Sequence, residues 1–340
     1  MQLSIFKYMF KIPDLRKRII FTLSMFAVYR LGAAVPVPGV DLDAVQRLTE
    51  SGAQAGIYGL LNLFSGGALE TFSVFALGIM PYITSSIILQ LLTVVIPRLQ
   101  KLQEEGESGR KVITQWTRYV TVVLALLQST GLTYIFSRGS LTGGISLIPN
   151  YTPSRVGLIV LTMTAGTAFI MWLGELISQR GIGNGMSLII FASIISQLPA
   201  SFGGAYQVTA GQGRIGQFSV LVLMFFLMIV GIIYVEQGQR RIPIQFAKRV
   251  RGRKVMGGQS TYIPLKVNSA GVIPVIFATS VLFFPALIAT SLPQDNRVTA
   301  GIRNWIDVNL ANSQGTSWFY IFFLGMLIIC LLYTSPSPRD

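Results

Sequence analysis

Apolar residues in this chain gather into long runs separated by short polar stretches rich in proline, glycine and charge. The runs lie near residues 19–36, 72–96, 119–137, 156–176, 186–203, 217–235, 270–291 and 317–333. Each is about as long as the ~20 residues a helix needs to cross the hydrocarbon core of a bilayer. Within hydrocarbon, only helices and closed barrels satisfy every backbone N–H and C=O internally. The pattern therefore predicts an all-α polytopic membrane protein with about eight spans. The first run has a basic flank at Lys11, Arg16, Lys17 and Arg18, but Pro36 and Pro38 stand where a small-residue cleavage site would be. It reads as a retained span rather than a cleavable leader.

Two stretches depart from the pattern. Residues 1–18 are amphipathic through Ile5, Phe6, Met9 and Phe10, as expected of a cytoplasmic segment lying in the interface. The piece Leu60-Leu61-Asn62-Leu63-Phe64-Ser65-Gly66-Gly67-Ala68 is apolar, too short to cross, and broken by two glycines. Non-spanning backbone at membrane depth is tolerated only where protein or a water-filled cavity surrounds it. The segment either lies on the surface or is tucked into such a cavity.

Charge orients the spans. Starting from a cytoplasmic N-terminus, the inner segments hold Lys7 to Arg18, Arg98 to Arg118, Arg180, and the cluster Arg240, Arg241, Lys248, Arg249, Arg251, Arg253, Lys254 and Lys266. The outer segments hold Arg47, Arg138, Arg155, Arg214, Arg297 and Arg303, together with Asp41, Asp43, Glu50, Glu70, Asp295 and Asp307. The net charge of +14 is thus mostly a matter of topology, following the positive-inside bias, and does not call for DNA. The inner loop 97–118 mixes signs and reads as solvated. The inner loop 237–267 is basic throughout, without an acidic residue, and has turn signals at Ile242-Pro243 and Gly257-Gly258. It either anchors topology by attracting anionic lipid or forms a docking arm for an acidic or RNA-containing cytoplasmic partner.

Composition then narrows the chemistry. With 51% hydrophobic and 12% charged residues, a soluble fold is excluded. The single cysteine, Cys330, rules out an internal disulfide and a cysteine-rich metal site, and the absence of histidine removes the usual ligand and base of metal and serine hydrolysis. Ion-coupled transporters place ionisable groups near the midplane. Here Glu175 and Glu236 fall at inner ends and Arg30 towards the outer end of the first span, so a midplane proton relay has nothing to run on. With no buried carboxylate pair either, the chain is not read as an enzyme. What the spans do carry is aliphatic pairs on shared helix faces beside breakers: Ile83 with Ile87 after Pro81, and Met186 with Ile190 after the turn Gly181-Ile182-Gly183-Asn184-Gly185. That turn lacks the strand and acidic residue of a phosphate loop. Gln90, Gln128 and Asn268 are uncharged polar groups within or beside apolar runs, suited to interhelical hydrogen bonds or to lining a wet path.

Several strings are similar to the SecY family, the channel subunits of the bacterial Sec protein translocase. They are Asn62-Leu63-Phe64-Ser65-Gly66-Gly67-Ala68-Leu69; Phe75-Ala76-Leu77-Gly78-Ile79-Met80-Pro81-Tyr82-Ile83; Glu104-Glu105-Gly106-Glu107-Ser108-Gly109-Arg110; Gln179-Arg180-Gly181-Ile182-Gly183-Asn184-Gly185; and Ile263 through Pro274. They stand in the family's order and extend over residues from about 5 to about 329.

The resemblance implies a SecY-type helix bundle with about eight of the family's ten transmembrane helices, N-terminus cytoplasmic, in the bacterial plasma membrane. Its expected parts are the cytoplasmic segment 1–18, a first half 19–203, a partial second half 204–333 and a tail 334–340 that departs from the family. It makes residues 57–71 a plug, with Leu60, Leu61, Asn62, Leu63, Phe64, Ser65, Gly66 and Gly67 at its centre. It assigns a pore ring to Ile83, Ile87, Met186, Ile190 and Ile276, and a lateral gate to Gln90 and Asn268 with Gln128 nearby. The basic loop becomes the motor or ribosome docking site through Arg240, Arg241, Lys248, Arg249, Arg251, Arg253 and Lys254. Implied partners are SecE, SecG, the SecA ATPase, the ribosome, signal sequences, nascent polypeptides and anionic lipids. The resemblance implies no cofactor of the chain's own. The implied function is passage of unfolded preproteins across the membrane and insertion of membrane proteins into it. A small-solute secondary transporter and an inactive shortened scaffold remain as alternatives at this point.

Overall fold

A computed structural model describes residues 12–41, 43–45, 62, 65–137, 147–148, 151–211, 213–244, 249–251, 254–256, 261–266, 274–275, 278, 281–282, 300–301, 304–306, 309 and 318–334. The chain divides into two compact units, one of residues 1–200 with 276–324 and one of 201–275 with 325–340.

Helix α1 spans Pro13–Ala34, with Pro13 in its first turn and Asp14 beside the positive end of its dipole. It stops at Val35, ahead of Pro36, as the residue before a proline is steered to extended backbone. Thr22, Tyr29 and Ala33 form its buried face. The next expected span, 72–96, differs in the structure: its helix, α2, runs only over Met80–Val95. Residues 66–79 make turns instead, apart from a bridge at Ser73. Phe72 at φ 46° and Gly78 at φ 56° sit in the left-handed region, which a helix cannot pass through. Most of this stretch is buried, Thr71 being exposed, and short-range bonds help satisfy its backbone, such as Ser73 N–H to Ala68 O at 2.8 Å and Gly78 N–H to Phe75 O at 2.8 Å. Its edge pairs with the exit of α1, Val37 N–H donating to Phe72 O (3.0 Å) and Val74 N–H to Val35 O (2.9 Å).

The stretch read from sequence as a solvated loop, 97–118, is helical and mostly exposed. Helix α3 covers Pro97–Glu104, turned 99° from α2 at the proline. Helix α4 covers Glu107–Ser137. Helix α5, Pro153–Arg180, and helix α6, Gly185–Gly211, are joined by the expected glycine turn, where Gly183 has φ 69°. Helix α7 is Ile215–Gln237 and helix α8 is Trp318–Thr334. Among the described residues α5, α6 and α7 are each long and apolar enough to cross a membrane, and α2 with α3 also qualifies if the bent pair is one span. The expected run 270–291 lies mostly outside the described residues.

In the first unit two apolar clusters form the core. One joins Val37, Leu69 and Phe72 to Ala125, Leu132 and Phe136 of α4 and Ile159 and Met163 of α5. Phe72 meets Phe136 edge-on at 4.9 Å. The other gathers Tyr29, Ala33, Ala68, Phe75, Ile79, Ile170, Leu173, Ile177 and Ile189. Phe75 stacks on Tyr29 and on Phe169, each at 5.9 Å between ring centres, and the missing side chain of Gly32 leaves space for its ring. Helix α2 is tied to α4 by the Ser85 hydroxyl donating to Thr117 O at 2.7 Å. Helix α4 is tied to α5 by a bidentate pair, Arg118 donating from Nε and Nη2 to the two Glu175 oxygens, each at 2.7 Å. Because the Arg118 side chain is 44% exposed, solvent weakens this pair. A double-mutant cycle with Arg118→Met and Glu175→Gln is expected to give a coupling of only about 0.5–1 kcal/mol in detergent unfolding, and less as salt is raised.

In the second unit, Phe202 and Tyr206 of α6 meet Phe225 and Phe218 of α7 edge-on at 5.2 and 5.4 Å. Every described residue of α7 is otherwise solvent-accessible in the chain alone, as suits a helix whose apolar surface faces lipid or another chain. The basic stretch is not an irregular loop. Strand β1, Gln239–Ile244, pairs antiparallel with β4, Thr261–Lys266, while β2, Arg249–Arg251, pairs with β3, Lys254–Met256. The turn signal at Ile242-Pro243 is overruled: Pro243 stands within β1, opposite Tyr262, and Pro264 stands opposite Arg241. These pairs lie two apart in the ladder and so are of one kind, the kind that exchanges no hydrogen bonds. Two-stranded ladders accept proline there without losing a bond.

Candidate functional site

The short apolar segment after the first helix is held inside the first unit. Asn62 organises it from within. Its side-chain amide donates to Glu70 Oε2 at 3.0 Å, its Oδ1 accepts the Glu70 N–H at 3.1 Å, and its carbonyl accepts the Gly67 N–H at 3.0 Å and the Ser65 hydroxyl at 3.0 Å. Ser65 Oγ in turn accepts the Leu69 N–H at 3.1 Å. Gly66 and Gly67, at φ 69° and 86°, turn the chain in a way that a residue with a Cβ resists. They also permit close approach: a Cβ on Gly66 would lie 3.1 Å from Ser193 Cα, and one on Gly67 would run into the Gln197 amide.

Side chains of α1 grip this turn by its backbone and are themselves held by serines of α6. The Tyr29 hydroxyl lies 3.1 Å from Ser65 O and 2.7 Å from Ser193 Oγ. Arg30 Nη1 donates to Gly66 O at 3.1 Å and to Ser196 Oγ at 3.0 Å. Ala68 then enters the second apolar cluster and Leu69 the first. Of the two positions left open by sequence, the described residues of this segment take the enclosed one. Leu60, Leu61, Leu63 and Phe64 lie outside the described residues.

Ile83 of α2 and Met186 and Ile190 of α6 are partly buried and border one and the same cluster, the one that Ala68 helps to fill. Ile87, one turn beyond Ile83, is 6% exposed. Two stretches distant in sequence, on α2 and α6, are thus brought to one apolar site beside the enclosed turn. Ile276 lies outside the described residues. Two of the three polar positions lie among the described residues. Gln90 is exposed on α2, Gln128 is buried on α4, and Asn268 lies outside the described residues.

On the hairpin, Arg240 and Arg241 are exposed on opposite faces of β1, and Arg241 lies 4.7 Å from the centre of the Tyr262 ring. Arg251 is directly opposite Lys254 in the register of the inner pair. Lys248 and Arg253 lie outside the described residues. Among the described residues no group of histidine, cysteine, aspartate or glutamate is arranged to hold a metal.

Sequence reasoning missed Tyr29, Ser193, Ser196 and Gln197. The available signal was Arg30 itself: an ionisable group inside an apolar run needs a partner, and the serines four and seven residues beyond Ile189 supply acceptors on one helix face.

Comparison with known proteins places this geometry. The family model described as SecY matches residues 73–337. A protein translocase subunit SecY of Streptomyces coelicolor is 48% identical over 98% of this chain and 77% of its own length. The counterpart from Corynebacterium glutamicum is 47% identical over 97% of this chain and 75% of its own. Among solved structures, a protein-conducting channel aligns with TM-score 0.56 at 17% identity, covering 81% of this chain and 58% of that one. Sec61 in the canine ribosome–channel complex aligns with TM-score 0.58 at 16% identity, covering 95% and 74%. This chain therefore spans under two thirds of the first of those structures and about three quarters of the curated relatives.

Proposed function

This chain belongs to the SecY family of multi-pass membrane proteins, and on that premise we propose that it forms a protein-conducting channel in the bacterial plasma membrane. One observation carries the reading. A backbone-held turn, Ser65 to Ala68, is seated against the cluster bordered by Ile83, Met186 and Ile190. A plug resting beside a collar of aliphatic side chains is what a conduit for unfolded polypeptide requires. Aliphatic groups close around an extended chain without hydrogen-bonding to it, and an apolar neck resists wetting when empty. Met186 adds an adaptable thioether to that collar. Ile87 and Ile276 complete it in this reading, and apolar signal sequences leave sideways between helices marked by Gln90 and Asn268.

The basic hairpin is the docking arm of the same machine. The stretch 237–267 carries eight basic residues and no acidic one, a concentration of one sign that repels itself. An anionic surface would relieve that cost, which supports a ribosome or the SecA motor as the partner at Arg240, Arg241, Lys248, Arg249, Arg251, Arg253 and Lys254. Family subunits SecE and SecG and anionic lipid are the proposed neighbours for the apolar outer surface.

Site-specific photocrosslinking tests the pore. A photoreactive residue at Ile83, in membranes holding a secretory chain stalled in transfer, is expected to give adducts, and one at Phe226 on the exposed face of α7 is not. Equal adducts at both positions, or none at Ile83, would remove Ile83 from the path of the substrate.

A further inference from the structure

The grip on the plug contains more acceptors than protons, and this decides how it opens. Tyr29 and Ser193 each own one hydroxyl proton. The distances offer three bonds: Tyr29 to Ser65 O at 3.1 Å, Tyr29 with Ser193 Oγ at 2.7 Å, and Ser193 to Ile189 O at 2.9 Å. Only two can form at once. With the plug seated, Tyr29 donates to the plug carbonyl and Ser193 donates either to Tyr29 or to Ile189 O. The latter leaves two hydroxyl oxygens 2.7 Å apart with no proton between them, so the former is the first arrangement. In the second, Tyr29 donates to Ser193 and Ser193 donates back to Ile189 O in its own helix.

We propose that Tyr29 and Ser193, with Arg30 and Ser196, form a re-pairing latch that holds the plug in the first arrangement and stays fully hydrogen-bonded in the second when the plug leaves. The proposal rests on the plug reading above. Among the described residues, the hydrogen bonds from the latch to the plug go to backbone carbonyls, Ser65 O and Gly66 O. They read the path of the glycine turn rather than the identity of its side chains. A buried hydroxyl stripped of its partner is costly, and Tyr29 is 1% exposed. Rotation of two hydroxyls onto Ser193 and Ile189 avoids that cost on opening. Arg30 behaves likewise: on losing Gly66 O it keeps Ser196 Oγ, which itself donates to Ser193 O at 2.7 Å.

The latch makes two neighbouring substitutions act in opposite senses. Tyr29→Phe removes the bond to the plug and costs the open form nothing, because Ser193 still has Ile189 O. Ser193→Ala leaves the Tyr29–Ser65 bond in place but takes away the acceptor that Tyr29 uses when the plug departs. The measurement is amide hydrogen exchange of the peptide covering residues 62–72 in the chain reconstituted into lipid, normalised to the amides of α5 in the same spectra. Tyr29→Phe is expected to speed exchange by up to about tenfold. Ser193→Ala is expected to leave it unchanged or slower, and the double variant to match Tyr29→Phe alone. Faster exchange in both single variants would show a simple packing pair, and no change in Tyr29→Phe would show no hold on the plug; either overturns the latch. Iodide leak from the same liposomes reads the pore separately. Exchange effects of opposite sense without leak in any variant would leave the latch standing and overturn the channel.

Discussion

Replacing Gly185 by valine is expected to lower the stability of the first unit by about 3 kcal/mol or more, read as an earlier transition when the detergent-solubilised chain is titrated with a denaturing detergent. Gly185 opens α6 where that helix folds back on α5. Its N–H donates to Ser178 Oγ at 2.8 Å, and a Cβ there would run into the Gly174 carbonyl and lie 2.8 Å from Ile177 Cβ. Both obstacles belong to the rigid body of α5, so no rotamer change removes them. The neighbouring Gly174 provides the contrast. A Cβ on Gly174 meets first the Met186 sulfur, the far end of an unbranched side chain that can swing aside. Gly174→Ala is therefore expected to cost no more than about 1.5 kcal/mol. The functional consequence of the valine follows from position, because Met186 is the next residue and Ile190 one turn further. A displaced α6 start would carry both away from the cluster they share with Ile83.

Gly185 also marks what was readable from sequence. The glycine turn, the start of α6, and the shared helix faces of Ile83 with Ile87 and of Met186 with Ile190 followed from residue types whose physics is local: glycine where backbones approach, aliphatics repeating at one helix turn. That α2 and α6 bring Ile83, Met186 and Ile190 to one cluster was implied only by the family resemblance. Other features were not local. Residues 72–79 are as apolar as a span, and their hydrophobicity cannot distinguish a buried turn from a helix. The deciding facts are the left-handed Phe72 and the pairing of Val35 and Val37 with residues 72–74, a contact across more than thirty positions. Helix α3 and the first turns of α4 carry mixed charges that suit a loop or an exposed helix equally well. Pro243 looked like a turn because its tolerance in β1 depends on the partner Pro264 falling in the same kind of pair. The association of Gln128 with Gln90 came from the family resemblance alone, because spacing along the sequence says nothing of the level at which two helices meet.

Reversing the two arginines of β1, Arg240→Glu with Arg241→Glu, is expected to weaken binding of the reconstituted chain to an anionic cytoplasmic partner on the order of 100-fold at low salt. Co-sedimentation with ribosomes, and separately with SecA, measures it. Both arginines are exposed and project from opposite faces of the strand, so the reversal changes the field on both sides of the hairpin at once. The difference should shrink as salt shortens the Debye length towards ~3 Å at about 1 M. A loss that persists at high salt would point to damage to the hairpin itself, since Arg241→Glu also removes the guanidinium from the Tyr262 ring. Arg241→Lys separates the two effects: it keeps the charge and the attraction to an aromatic face but lacks the planar fork. If the single lysine variant binds nearly as well as the original chain while the double glutamate variant does not, charge is what the partner reads. Unchanged binding in the double glutamate variant would move the docking site off these two arginines and leave the run of eight basic residues to anchor topology by attracting anionic lipid.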